Sequence, residues 1–263
     1  MDPTLTFVGT ATTVLRIGPF TLLTDPNFLH RGQRAYLGKG LWSRRLTDPA
    51  MSVDELPPLD AIVLSHLHGD HFDRVARAGL DRSVPILSTP AAARRLTTWG
   101  FDATGLRPWQ RRVLTRGVDA LTIESVPGTH ARGVMRALLP PVMGTVLTWE
   151  VAGQRRLSLY LTGDTLLGSH LTRIAERHPH LDGAVVHLGG TRVLGALVTL
   201  DGRGGRRLLE AVDPGYAIPV HHDDYAIFRS PLSDFTKALH GTPYAARVRY
   251  VGRGETRSLA PSD

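Results

Sequence analysis

Apolar positions at the start of the chain come in short β-rich runs broken by turn formers. LTFVG (5–9), TTVLRI (12–17) and FTLLTD (20–25) are three such runs, the last two separated by Gly18-Pro19, and they predict a meander of strands. FLHRGQRAYLGKGLWSRRLTD (28–48) mixes glycines, arginines and aromatics without clean periodicity. It reads as a long loop, a kind of segment more often functional than decorative. DAIVLS (60–65) is a continuous apolar run between turn formers, as a buried strand requires.

Further on, strands and helices alternate. VPILS (84–88) reads as a strand, and Pro90 opens a helix over AAARRLTTW (91–99) as a first-turn residue. VDALTIESV (118–126) predicts a strand leading into PGTH, and GTVLTWEV with RRLSLYLTGD predicts a hairpin about Gly153. HLTRIAERH is helical, DGAVVHL a strand, GRRLLEAV a helix capped by Asp201, and YAIPVHH a strand. Ser230 is the expected cap of the last helix, LSDFTKAL. Strands first, then strands mixed with helices, point to sheets covered by helices in one α/β domain spanning residues 1–263. GTATTVLRIGPFTLLTD and GTVLTWEVAGQRRLSLYLTGD share an order of Gly-Thr, strand, glycine turn, strand, Thr, Asp. A duplicated half-domain would place Asp25 and Asp164 at equivalent strand ends.

Composition narrows this picture. A hydrophobic content of 42% and a charged content of 21% are those of an ordinary globular chain. The absence of cysteine excludes disulfides and thiolate ligands. The most apolar stretch, VMRALLPPVMGTVLTWEV, is interrupted by Arg136, Pro140, Pro141 and Glu150, so no membrane span is expected. MDPTLTFVGT lacks the basic and apolar regions of a secretory signal, which predicts a cytoplasmic protein. The net charge of +7 comes almost wholly from arginine, Lys39 and Lys237 being the two lysines. The arginines fall in scattered pairs, so a solvated surface is expected rather than a stable nucleic-acid complex.

SHLHGDHF (65–72) concentrates the chemistry. On extended backbone, His66 and His68 point to the same side and can meet one metal ion. Gly69 lets the backbone turn, so that Asp70 and His71 can face a second position. Imidazole suits zinc, iron, nickel or copper, and a carboxylate remains compatible with zinc or a harder neighbour. Further ligands must come from distant segments, and His130, Asp164 and His221 each follow a predicted strand. No GxSxG elbow, P-loop or HExxH helix competes.

SHLHGDH, PGTH, LTGDT and PVHHDDY together resemble the motifs of the metallo-β-lactamase superfamily. LLTDPNF and ELPPLDAIVLSHLHGDHFD further resemble the branch of N-acyl-phosphatidylethanolamine phospholipase D and ascorbate-6-phosphate lactonase. The resemblance implies an αββα sandwich with two divalent metal ions at one edge, zinc first, manganese or iron also possible. It puts His66, His68 and His130 on one ion, Asp70, His71 and His221 on the other, and Asp164 between them. Asp25 matches a family aspartate that orients the loop beneath the site. The segment around His130 departs from the phospholipase, which is richer in tryptophan there.

Two ions less the charges of Asp70 and Asp164 leave a site near +2, expected to bring a bridging water to hydroxide at neutral pH. The function so implied is hydrolysis of a phosphodiester or similar small anionic or amphiphilic ester. A lactonase or other carboxylic-ester hydrolase, and a nuclease, are the alternatives. Asp70 is expected to orient the nucleophile. His222, with Tyr225 behind it, is the candidate proton donor, and His187 is either catalytic or a packed partner. His178, His180 and His240 read as surface residues. Substrate choice is assigned to the 28–46 segment, with Tyr36 and Trp42, and to the apolar segment after His130, with Arg132 and Arg136.

Overall fold

The computed structural model describes residues 2–133 and 139–260. In chain order the strands are β1 (Thr4–Gly9), β2 (Thr12–Ile17), β3 (Phe20–Thr24), β4 (Arg34–Gly38), β5 (Leu41–Arg44) and β6 (Ala61–Val63). Helix α1 (Arg74–Gly79), β7 (Ile86–Ser88), α2 (Pro90–Thr98), β8 (Ala103–Gly105), β9 (Arg111–Arg116) and β10 (Asp119–Pro127) follow. The second half holds β11 (Met143–Val151), β12 (Gln154–Leu161), α3 (Ser169–Arg177), β13 (Gly183–His187), β14 (Arg192–Val193) and β15 (Ala196–Leu197). It ends with α4 (Gly202–Val212), β16 (Tyr216–Val220), α5 (Leu232–Leu239) and β17 (Thr256–Ser258).

One sheet runs β17-β1-β2-β3-β6-β7-β8 and the other β16-β13-β12-β11-β10-β9. Their facing sides share a single core in which Leu15, Leu22 and Val63 meet Ile123, Leu147 and Leu159. The outer face of the first sheet packs Ile62 and Ile86 under Ala76 of α1 and Leu96 of α2. The outer face of the second packs Tyr160 and Val186 under Ile174, Leu208 and Phe235 of the last three helices. These four layers are the expected αββα sandwich, because each sheet is apolar on both faces and each helix on one.

Local chemistry sets the element ends. Thr89 caps α2 by accepting from Ala92 N at 3.2 Å, with Pro90 in its first turn. Asp201 caps α4 through Gly204 N at 2.8 Å. The glycines at the start of α4 serve packing: a Cβ on Gly202 would lie 2.4 Å from the Asp234 backbone of α5. Segment 28–48 is not a structureless loop, since β4 and β5 pair antiparallel with Tyr36 opposite Trp42. Ser230 does not cap α5; its hydroxyl accepts from Gly202 N and reaches Asp234 Oδ2 at 3.1 Å, while Pro231 holds the cap position.

The internal echo is visible in the topology. β1-β2-β3-β6-β7 and β10-β11-β12-β13-β16 each contain two antiparallel pairings followed by two parallel ones. The register corrects the equivalence read from the sequence. Asp25 N donates to Val63 O and Thr162 N to Val185 O, each at 3.0 Å, so Asp25 corresponds to Thr162 and Ser65 to His187. Both halves then repeat one contact: Asp25 Oδ1 accepts from Ser65 N at 2.7 Å, and Thr162 Oγ1 from His187 N at 2.9 Å. Asp164 lies two residues beyond the equivalent position.

Candidate metal centre

The ends of β3, β6, β12, β13 and β16 lie along one edge of the sandwich and carry most of the chemistry. The loop after β6 brings His66 and His68 beside His130, which follows β10. Their candidate ligand atoms all lie within 4.8 Å of one another. Asp70, His71 and His221 form a second such group, and His66, His71 and Asp164 a third that joins the two. Asp164 Oδ2 is 3.2 Å from His71 Nε2 and 4.0 Å from His66 Nε2, and its Oδ1 is 3.6 Å from His221 Nδ1. All seven residues singled out from the sequence therefore meet at one place.

The imidazoles are held from behind. His71 Nδ1 lies 3.2 Å from Asp25 Oδ2, His130 Nδ1 2.9 Å from Val198 O, and His221 Nδ1 3.2 Å from Leu188 O. Those acceptors leave Nε2 of each ring for the interior. His68 is the exception, its Nδ1 facing His66 Nε2 at 3.0 Å and His130 Nε2 at 3.3 Å. Fixing one ring nitrogen through an outer partner is how proteins orient metal-binding histidines.

A metal is tested by what lacks a partner. Asp70 Oδ1, His71 Nε2, Asp164 Oδ1 and His221 Nε2 are buried with no hydrogen bond. Leaving one such atom unsatisfied costs about 1–3 kcal/mol, and four converging orphans fit a group that accepts lone pairs. Burial, then the neighbouring imidazoles His71, His68 and His130, hold His66 well below its ordinary value; burial and His130 bring His68 to about 4. These are neutral rings, the form that ligates. For His71, burial acts downward but Asp164, Asp25 and Asp70 outweigh it and raise the ring well above its ordinary value. For Asp25, burial acts upward but His71 and His187 outweigh it and hold the carboxyl at about 2.

Asn27, Arg45 and Asp224 support the site and did not stand out in the sequence. Arg45 is fully buried, 3.3 Å from Asp224 Oδ1, and it donates to Asn27 Oδ1. Asn27 Nδ2 donates to Gly69 O at 2.9 Å, between His68 and Asp70. Asp224 Oδ2 accepts from Thr10 N, and Thr10 O from His221 N, each at 2.7 Å. Thr10 and His221 have φ of 55° and 61°, left-handed backbone that costs non-glycine residues on the order of 1 kcal/mol each. The buried pair thus reaches both segments that carry ligands. A polar residue two positions after Asp25 was the available signal.

Gly69 plays a different part from the one expected. Its φ is not left-handed; what it supplies is room. Its N–H donates to Tyr36 O at 3.0 Å, and a Cβ would sit 2.6 Å from that oxygen. Gly69→Ala is expected to push the β4–β5 hairpin off the ligand loop and weaken metal binding at least roughly tenfold, on the scale of a lost outer-shell partner. Competition with a chelator measures it.

Other candidates lie apart from the cluster. His222 belongs to none of the three groups and does not line the cavity before them; its Nδ1 is 3.5 Å from Asp223 Oδ1. The Tyr225 hydroxyl donates to Asn27 Oδ1 at 3.0 Å. His187 is a packed partner, with Nε2 3.3 Å from Asp25 Oδ2 and Nδ1 3.2 Å from Thr162 Oγ1. His178 is half-buried beside Glu124 rather than a free surface residue. Arg132 donates to Leu167 O, and Arg136 lies outside the described residues. His68, Asp70, His130 and Asp164 face a cavity of about 370 Å³. Leu37, Leu41, Val193, Leu194 and Val198 wall it, and Lys39 and Arg192 add charge.

The model of the beta-lactamase superfamily domain matches residues 21–222. The chain belongs to the metallo-β-lactamase superfamily. Among superfamily relatives, a UPF0173 metal-dependent hydrolase of Staphylococcus haemolyticus is 28% identical over 241 residues, 87% of this chain and 97% of its own. An uncharacterized Mycobacterium tuberculosis protein is 26% identical over 243 residues, 89% of this chain. The alignment spans 62% of that longer mycobacterial protein. The crystal structure of a possible metal-dependent hydrolase from Veillonella parvula shares the fold with a TM-score of 0.83 at 23% identity, covering 98% of this chain and 100% of its own. Among the described residues of this chain no helix is long and apolar enough to cross a membrane.

Proposed function

We propose that this protein is a metal-dependent hydrolase that holds two divalent ions and cleaves small anionic or amphiphilic esters, a phosphodiester ahead of a carboxylic ester or lactone. Four buried atoms without a hydrogen bond, on Asp70, His71, Asp164 and His221, carry the reading: the two carboxylates face the cavity and the two imidazoles lie against them. His66, His68 and His130 would hold one ion, Asp70, His71 and His221 the other, with Asp164 shared. Nitrogen and carboxylate donors favour zinc, with manganese or iron(II) next. Such ions supply an activated water at neutral pH and positive charge for the oxyanion that develops.

The chain's own residues do the rest. Asp70 has Oδ2 3.5 Å from His221 Nε2 and Oδ1 free, so it can both ligate and orient the attacking water. Lys39 and Arg192 attract an anionic substrate to the cavity. The leucine and valine walls favour an alkyl or acyl substituent, which keeps the lactone and carboxylic-ester reading as the second. Affinity with the phospholipase D and lactonase branch is part of this proposal.

Elemental analysis of protein purified from metal-supplemented medium, followed by assays with bis(p-nitrophenyl) phosphate, a simple lactone and a β-lactam, tests it. Two ions per chain with phosphodiester turnover is the expected result. A fully metallated protein inert toward all three, or one that binds a single ion, overturns it.

A further inference from the structure

β4 and β5 form a small sheet outside both large ones. Its inward residues Ala35 and Leu37 pack against Leu29 and Tyr225. Its outward face carries two cross-strand pairs, Arg34 opposite Arg44 and Tyr36 opposite Trp42. Tyr36 and Trp42 are 47% and 56% exposed, with ring centroids 4.8 Å apart. Like charges directly opposite each other destabilise a strand pair, and exposed aromatics gain nothing from the core. Residues 31–46 include Arg31, Arg34, Lys39 and Arg44 on the surface and no carboxylate.

The hairpin tip, from Leu37 to Leu41, lines the cavity. So does the β14–β15 hairpin, where Leu194 is 90% exposed beside Arg192, and residues 189–200 again contain no carboxylate. Two hairpins at the mouth of one cavity therefore present arginines, a tyrosine–tryptophan pair and an uncovered leucine; Asp48 lies beside Arg31 and Asp201 shares a groove with Arg192, while Arg34 and Arg44 form no ion pair among the described residues.

We propose that these two hairpins dock the protein on an anionic lipid surface, with the cavity mouth turned toward it. Tyrosine and tryptophan favour the headgroup layer, arginines meet lipid phosphates, and a projecting leucine enters the acyl boundary. A single-stranded nucleic acid would also use arginines and stacked aromatics. It has no use for Leu194 or for a leucine-lined cavity, so the lipid is the better match. The proposal concerns where the protein sits and stands apart from which bond it cleaves.

Co-sedimentation with vesicles of phosphatidylcholine alone, or mixed with phosphatidylglycerol, tests it on the full chain. Binding to the mixed vesicles is expected, with a blue shift of tryptophan emission and partial release by added salt. Each basic residue near such a surface is worth roughly fivefold. The double variant Arg34→Glu, Arg44→Glu should therefore bind at least about twenty-five-fold more weakly, and Trp42→Ser with Leu194→Ser should lose the salt-resistant part. Circular dichroism verifies that these variants fold, and Arg111→Glu with Arg112→Glu, on exposed strand β9, should bind as the parent does. The idea is overturned by no vesicle binding, by equal binding to neutral vesicles, by equal loss in the β9 variant, or by binding to a single-stranded oligonucleotide instead. The salt and neutral-vesicle arms use the unaltered protein, so a variant that fails to fold leaves the test decisive.

Discussion

Asp164→Ala is expected to lower turnover of bis(p-nitrophenyl) phosphate at least about a thousandfold, the scale of the several kcal/mol that a metal ion supplies. Asp164 is the carboxylate common to both halves of the site: 3.2 Å from His71, 3.6 Å from His221 and 4.0 Å from His66. It is buried, and although burial acts to raise its pKa, His221 and His71 outweigh it and keep the carboxyl well below its ordinary value. It therefore stands as an anion at neutral pH, beside the imidazoles that Asp25 and Asp70 also face. Without it, metal content should fall below two per chain and added zinc should raise the thermal midpoint less than in the parent, by linkage. The fold should persist, because Asp164 supports no core residue and follows β12 rather than lying within it. A variant that retains two ions and parental turnover would remove Asp164 from the mechanism.

Asp224→Ala should cost about 3–5 kcal/mol of stability, the range for breaking a buried ion pair on one side, and lower the thermal midpoint by on the order of 10 °C. The change strands Arg45, whose side chain is fully buried and otherwise reaches Asn27, the Thr47 carbonyl and the face of the Tyr225 ring. It also frees Thr10 N, and with it the carbonyl that holds His221. Removing both members, as in Arg45→Met with Asp224→Ala, should cost less than the sum of the single changes.

The same pair sets an acid limb. Burial acts to raise the Asp224 pKa, but Arg45 and Arg253 outweigh it and hold it at about 2, against 3.8 when unfolded. A carboxyl whose folded value is depressed stabilises the protein above its unfolded pKa and loses that contribution as pH falls toward the folded one. About 2 kcal/mol should therefore disappear between pH 4 and 2. Denaturant titrations at several acid pH values measure the loss, and an Asp224→Asn variant should lack that component. Equal acid sensitivity in the variant would assign the limb to other carboxylates.

Strands and ligand candidates were legible for a common reason: both are local. The buried strand DAIVLS and the helix cap at Asp201 are set by neighbours within a few residues, and so is the dense cluster from His66 to His71. Segment 28–48 was misread because its hairpin has only one apolar face, over Leu29 and Tyr225, while its outer face carries arginines and aromatics. No periodicity rule recognises that mixture as a strand pair. His222 was singled out by nearness in sequence to His221, yet it belongs to none of the three ligand groups and its Nδ1 lies 3.5 Å from Asp223 Oδ1.

By itself the amino-acid sequence determined the layered α/β architecture, the repeated strand hairpins and the set of histidines and aspartates able to hold metal, because periodicity, turn residues and ligand chemistry act over short distances. Only the tertiary structure decided how these parts are held. Asp25 proved equivalent to Thr162 rather than Asp164, Gly69 was required by the Tyr36 backbone, and a buried Arg45–Asp224 pair braced loops from opposite ends of the chain. Those facts depend on register and close approach between segments as many as 179 residues apart, and such contacts leave no local pattern for a sequence to display.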